Sequence, residues 1–370
     1  MTKAEFLETL SNLLESISPE ERTNTLEYYT EMIEDRMENG LSEEEAVAAL
    51  GDIREIADQV KQCASECNQA RPVAEPASAL RSITIEESSG DLLIEGGNFD
   101  APYTLDFENG RKEEYAVSEQ NGALVIRHIR QKRSGAHFSL FSAASSKLIL
   151  HINGALDQLN VCTSSGDTEI RTLTVKRTLT VSGTSGDVRL SEVHCPGECS
   201  LNTGSGDIRA EGCSWQNAKI TTASGNLTLF NGSAETMEIH SASGDIDIQD
   251  SNIAQALRLQ TSSGDVSFRH VKVPDFCAKS LSGDFDLTDS DFGTLQGQSA
   301  SGDFCLRSVQ ANHIQLSAAS GDLRIQLREI EGGYDFRTRS TVGAVRAPIL
   351  RGEHIVELTT ASGDITASVK

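Results

Sequence analysis

Long apolar runs are missing from this chain: stretches such as Leu148-Ile149-Leu150 end after a few residues. A membrane-spanning helix needs about 20, so no span is expected. Basic charge is also scarce. Lys and Arg number 32 against 55 Asp and Glu in 370 residues, a net charge of −23. That balance argues against nucleic acid as a partner, since affinity for phosphate is drawn from Lys and Arg. Cysteine clusters of metal-site type are lacking too. Cys63/Cys67 and Cys195/Cys199 are closely spaced, the latter behind His194. Neither has a second pair to complete the four ligands of a structural zinc. The remaining Cys162, Cys213, Cys277 and Cys305 fall at different phases of the chain, and all eight read as thiols behaving as small hydrophobes. No metal or cofactor is expected. The opening Met1-Thr2-Lys3-Ala4-Glu5 leads into an acidic amphipathic stretch and not an apolar signal core, so the expected address is cytoplasmic.

What the chain has instead is a repeat. Ser-Gly-Asp recurs with its Asp at 91, 167, 187, 207, 245, 265, 284, 303, 322 and 364. Ser-Gly-Asn ending at Asn226 and Val-Gly-Ala ending at Ala344 fill the gaps. From Asp167 onward the steps are 19 or 20 residues, apart from 22 between Asp322 and Ala344. Such regularity means one supersecondary unit stacked many times. With the Asp as position zero, apolar residues sit at −8, −6, +1 and +3, and Ser or Thr at −4 and −2. The unit at Asp265 shows this with Leu257, Leu259, Thr261, Ser263, Gly264, Val266 and Phe268. Period-2 alternation on both sides of a glycine is two strands joined by a bend. The predicted fold is therefore mainly β: a right-handed parallel β-solenoid of 19–20-residue rungs, rising about 4.8 Å per rung.

The predicted corners are Gly166-Asp167, Gly186-Asp187, Gly206-Asp207, Gly244-Asp245, Gly264-Asp265, Gly283-Asp284, Gly302-Asp303, Gly321-Asp322 and Gly363-Asp364. Glycine suits a tight arc whose backbone conformation a Cβ would penalise. The hydroxyls at −4 and −2 share the phase of the core and, stacked near the bend, can bond one another or the turn backbone. The Asp is expected to accept backbone N–H groups of its own turn, an Asx-type role. Calcium at Asp187, Asp207, Asp245, Asp265, Asp284, Asp303 and Asp322 is the alternative, though each rung offers one regular carboxylate where calcium takes 6–8 oxygen ligands. Between Asp91 and Asp167, hairpin-like runs around Asn109-Gly110 and Asn121-Gly122 suggest a β-hairpin insertion at about 98–145. It carries the basic stretch Arg127, His128, Arg130, Lys132 and Arg133. This is a solvated face or a dock for an acidic surface.

Residues 1–67 form a separate helical module, followed by an Ala/Pro-rich linker at 68–80 and the solenoid at 81–370. Phe6, Leu7, Leu10, Leu13, Leu14 and Ile17 make one apolar stripe. Ser18-Pro19 and the Ser42/Glu45 capping box open further helices, so a small four-helix bundle is expected. Residues 1–70 carry 17 acidic and 5 basic side chains. Lys3-Ala4-Glu5-Phe6-Leu7, Tyr28-Tyr29 and Leu50-Gly51-Asp52-Ile53-Arg54-Glu55-Ile56-Ala57 resemble the HAAS/DUF1700-like signalling domain encoded near PadR-type regulators. Ile53 stands where relatives place Pro. In those relatives transmembrane helices commonly follow, where this chain has its linker. The Ser-Gly-Asp units and Lys147-Leu148-Ile149-Leu150-His151-Ile152 resemble the bacterial adhesin-type β-strand-repeat family (DUF4097-like). That resemblance supplies no catalytic residues.

Function is expected to be non-enzymatic: a binding or scaffold protein in bacterial signalling or envelope-stress-related assembly. Protein partners would meet residues 1–67 and the solenoid surface. A cell-surface adhesin is the alternative. A carbohydrate-active enzyme on a β-helix is a further one, although 19–20-residue rungs leave no room for cleft-building loops. The sequence does not show whether the last rung, ending at Lys370, is left open; if it is, its parallel edge invites pairing into a homo-oligomer.

Overall fold

The computed structural model describes residues 2–14, single helical positions at 22, 26, 30, 33, 43, 47 and 53, and residues 80–110, 112–129 and 146–370. Two compact units divide the chain, Met1–Ala77 and Ser78–Lys370.

In the first unit, helix Lys3–Leu13 opens on a capping box: the Thr2 hydroxyl accepts from the Glu5 N–H, and the Glu5 carboxylate accepts from the Thr2 N–H. Two otherwise orphaned donors are satisfied this way. Phe6, Leu10 and Leu14 fall on one face at helical spacing and bury with Ile33 and Val47. The expected boxes at Ser18-Pro19 and Ser42/Glu45, the linker, Cys63/Cys67 and most of the basic stretch lie outside the described residues.

In the second unit each rung is one long and one short strand, in two facing parallel sheets. Asn252–Thr261, for example, leads through Ser-Gly-Asp to Val266–Arg269. Register is residue-for-residue: Leu257 lies beside Met237 and Phe276, and Val266 beside Ile246 and Phe285. The −8, −6, +1 and +3 columns fill the space between the sheets; Leu257, Leu259, Val266 and Phe268 are at most 1% exposed. At about 1.5–3 kcal/mol per buried large side chain, this stack supplies the stability of the fold.

A second corner, absent from the sequence expectation, follows the short strand in the eight rungs from Asp167 to Asp303. At position +5 the backbone turns left-handed, with φ of +48 to +62° at Thr172, Glu192, Gly212, Asn231, Asp250, His270, Asp289 and Ser308. Residues at +6 and +8 then bury again, as Val271 and Val273 do. Only one of the eight is glycine, so the column does not stand out by composition. Asn, Asp and His, the residues besides glycine that most often enter the left-handed region, take four of the other seven places, and Thr, Glu and Ser the remaining three.

Both ends are laid down out of chain order. Strands Ser82–Glu87 and Asp91–Gly97 do not begin the stack; they lie between Ala123–His128/Lys147–Asn153 and Leu156–Thr163/Thr168–Arg171. Antiparallel strands Tyr115–Gln120 and Tyr103–Glu108 cover that outer layer. At the other end the C-terminal rung, His354–Ser362 and Ile365–Val369, slots between the rung at Asp322 and the rung at Ala344. The rung ending at Lys370 is therefore not left open. That rung is paired on both sides, and Tyr334–Val342 with Val345–Arg346 forms the outermost layer. The 22-residue step before Ala344 gives the chain length to skip one level and leave the slot.

Candidate functional site: the corner column and its groove

Of the expected corner glycines, Gly363 has the positive φ expected of it, at +158°, but the others do not. From Gly166 to Gly321 none has positive φ. Their requirement is steric: a Cβ on Gly244 would lie 1.8 Å from the carbonyl oxygen of Gly225, and one on Gly264 1.9 Å from that of Gly244. Backbone stacks directly on backbone here, and only a hydrogen atom fits between.

The Asp side chains likewise act between rungs and not within their own turns. Oδ1 of Asp167 accepts the N–H of Asp187 at 3.0 Å, and Oδ1 of Asp187 that of Asp207 at 2.9 Å. Asp207 receives Asn226, Asn226 receives Asp245, and the series runs through Asp265, Asp284, Asp303 and Asp322. It then follows space and not sequence: Asp322 receives Asp364 at 2.8 Å, and Asp364 receives Ala344 at 2.8 Å. Because Asn226 serves equally, the ladder needs a side-chain carbonyl oxygen, not a charge. Arg189 spans the remaining oxygens of Asp167 and Asp187, and Arg324 those of Asp303 and Asp322. These hydrogen bonds to carboxylates push both guanidinium groups further up. Among the described residues, no three His, Cys, Asp or Glu side chains are placed to hold a metal ion.

The ladder makes a test. Asp265→Asn keeps the acceptor for Asp284 and is expected to leave stability within about 0.5 kcal/mol. Asp265→Ala leaves that N–H without its partner and should cost about 1 kcal/mol. Urea unfolding separates the two; equal losses would mean that the charge, and not the oxygen, is what matters.

Hydroxyls at −4 point inward: Thr222 accepts the Gly225 N–H at 2.9 Å, and Ser241 that of Gly244 at 3.1 Å. Serines at −2 are exposed, contrary to their expected core phase, because the bend breaks the two-residue alternation. Their Oγ donates one rung back, as Ser243 does to the Ala223 carbonyl at 3.2 Å. In the first corner Glu87 replaces the hydroxyl. It is 3% exposed, and its Oε1 takes the N–H groups of Ser88, Ser89 and Gly90 at 3.0, 3.1 and 2.9 Å. Tyr115 donates to its other oxygen at 2.7 Å, and burial first, then this bond, drives the phenol far up. His128 Nδ1 meets both Glu87 and Ser88 Oγ. With both partners on one ring nitrogen, Ser88, His128 and Glu87 do not form a nucleophile–base–acid relay.

Cys195, Cys199 and Cys213 occupy core columns as free thiols. Burial raises all three pKa values, that of Cys199 well above the usual thiol range. None is poised as a nucleophile.

Outside the corner column, positions −5 and −3 are the walls of a shallow groove running along the stack, with −4 as its floor. One segment, about 730 Å³, is lined by His240, Ala242, Gln260 and Ser262; the next, about 690 Å³, by Gln298, Ala300, Ser317 and Ala319. Lys279, Ser280 and Leu281 belong to both. Leu281 is 64% exposed in the middle. Small residues at −3 other than Leu281 (Ala223, Ala242, Ser262, Ala300 and Ala319), to which sequence patterning assigns no role, keep the groove open.

Residues 80–269 and 254–370 match the family model described as Toastrack DUF4097, and residues 5–59 match that described as HAAS. No curated protein matches the chain. Among solved structures, a candidate adhesin from Bacteroides fragilis is similar at 16% identity and a TM-score of 0.38, over 64% of this chain and 94% of that one. A candidate cell-adhesion protein from Clostridium sporogenes is similar at 13% identity and a TM-score of 0.19, over 81% of this chain and 97% of its own. At these scores neither bears on the chemistry of this chain. No helix among the described residues is long and apolar enough to cross a membrane.

Proposed function

The chain belongs to the Toastrack DUF4097 family, and from that premise we propose that it is a non-enzymatic scaffold that holds a protein partner along its solenoid. Its place would be bacterial signalling or envelope-stress-related assembly, with the acidic N-terminal unit as a second contact. The groove through Lys279 and Leu281 is the observation that carries this reading: it crosses successive rungs without interruption by loops. A rigid stack presents such a surface preorganised, so little ordering entropy is lost on binding. An exposed leucine among small polar residues is the kind of apolar anchor a partner covers. The HAAS match at residues 5–59 supports a signalling context.

Affinity purification of the full chain from its native bacterium, beside Leu281→Asp, tests the proposal. The wild-type chain is expected to retain a protein partner, and the variant to lose it at least tenfold while unfolding at the same urea concentration. A chain that brings down nothing would overturn the scaffold reading. Equal capture by the variant would remove the groove as the contact.

A further inference from the structure

The outermost C-terminal layer differs from every other layer of the stack. Tyr334–Val342 pairs on one side with His354–Ser362, and Val345–Arg346 pairs on one side with Ile365–Val369; neither has a described partner on the other side. Each therefore presents a row of backbone donors and acceptors to whatever lies beyond. The apolar surface is concentrated at the same place. Val342, Val345, Ile349 and Leu350 are half of the exposed large hydrophobics among the described residues, and Ile349 is fully exposed. Phe336 packs against the core while only half-buried. At the opposite end antiparallel strands cover the parallel layer; their own outer edges have no described partner either, but the exposed large hydrophobics there are fewer, Val117 and Ile129.

We infer that this end face is a self-association site, occupied by the same face of a second copy in a tail-to-tail dimer. Symmetry carries the first step. A two-fold axis perpendicular to both sheets sets each edge strand antiparallel to its own counterpart, so both sheets continue across the junction at once. Charge carries the second. Asp335 and Arg337 lie on the same outward face, where Arg337 contacts Asp335 and Glu357. With Phe336 on the axis, Asp335 of each chain falls opposite Arg337 of the other, twice, and opposite charges across a strand pair are favourable. Composition carries the third: the exposed apolar side chains of residues 342–350 lie on this terminal layer, where a second copy would cover them and remove them from water. The terminal layer and its crossover, residues 330–353, supply roughly the 20–30 residues a side of a standard interface. Because the contact is isologous it closes on itself and stops at two chains, so no filament results.

This inference does not depend on the groove. Sedimentation velocity of the full chain from low to tens of micromolar is the test, with Ile349→Asp/Val342→Asp beside it. Both positions are exposed, so the double variant should unfold like wild type. The expected result is a species of twice the chain mass that the double variant reduces at least tenfold. A wild-type chain that stays at single mass throughout would overturn the inference. So would a dimer that the variant leaves unchanged, which would place the contact elsewhere, or a mass that keeps growing with concentration, which would mean an open heterologous contact. Capture of an unrelated extended peptide on Tyr334–Val342, with the chain itself monomeric, would equally overturn it.

Discussion

Gly244→Ala is expected to cost about 4 kcal/mol or more, or to prevent the chain from accumulating folded. Ordinarily Gly→Ala at negative φ stabilises by about 0.4–1 kcal/mol, because the unfolded chain loses freedom. Here φ permits alanine, so conformational preference alone would give a gain. Space decides otherwise. The new methyl would fall 1.8 Å from the Gly225 oxygen and 2.5 Å from its carbonyl carbon. Both are backbone atoms fixed by the parallel ladder on either side, so they cannot turn aside as a side chain would. Relief would require opening adjacent rungs, with loss of the hydrogen bonds and core contacts they share; effects of this size come from such packing conflicts. Gly154→Ala is the control. At φ +89° its conformation is unfavourable, yet nothing lies within 4 Å, and about 1–2 kcal/mol is expected. Thermal or urea unfolding ranks the two. Equal losses, or a gain at Gly244, would mean that the corner backbones do not stack in direct contact.

Deleting residues 354–370 is expected to undo a strand that precedes them. In a stack laid down in chain order, removal of the last rung exposes the one before it and leaves the rest intact. Here the deleted rung is the only described ladder partner of Tyr334–Val342 and Val345–Arg346. It also covers the edge of Leu323–Leu327 and of the long strand through Ile314 and Leu316. Val356, Leu358 and Ile365 are fully buried, and losing them withdraws about 1.5–3 kcal/mol each. Amides of residues 334–342 should lose their exchange protection, proteases should cut within 328–350, and the newly bare parallel edge should aggregate. Retained protection at 334–342 would count against the exchanged order.

Much of the solenoid was legible because its physics is periodic. Apolar residues recur at the phases of Leu257, Leu259, Val266 and Phe268 in most rungs, so one rung predicts the next. What the sequence concealed is what periodicity does not encode. The left-handed corner at +5 uses Thr, Glu, Asn, Asp, His and Ser almost interchangeably, so no single residue marks it. The glycine column was visible, but its cause was not, since close approach of two backbones belongs to neighbouring rungs. Asn226 was the clue to the Asp ladder: a rung that loses the charge and keeps the carbonyl fits an acceptor that reaches the next rung. Serine at −2 misled because the alternation that places Leu259 and Thr261 inside fails once the chain bends. The exchanged ends were hardest, for the rung at Asp364 carries the same motif whether it stacks on Asp322 or on Ala344; the 22-residue step was the one hint. For the groove, the small residues at −3 were present in the sequence, but their alignment along the stack is visible only once rung order is known.

Rung order is best tested by oxidative cross-linking of paired cysteines in the full chain. Ser320 lies beside Ser362, and Ser362 beside Val342, so neighbours are about 4.8 Å apart and Ser320 and Val342 about twice that. Disulfides form when Cα atoms are roughly 4.4–6.8 Å apart. Ser320→Cys with Ser362→Cys is expected to close rapidly, and Ser320→Cys with Val342→Cys to stay open, as read by mass mapping of the joined peptides. Rapid closure of the second pair with none of the first would mean that the rungs follow one another in simple chain order, contradicting the exchanged C-terminal end.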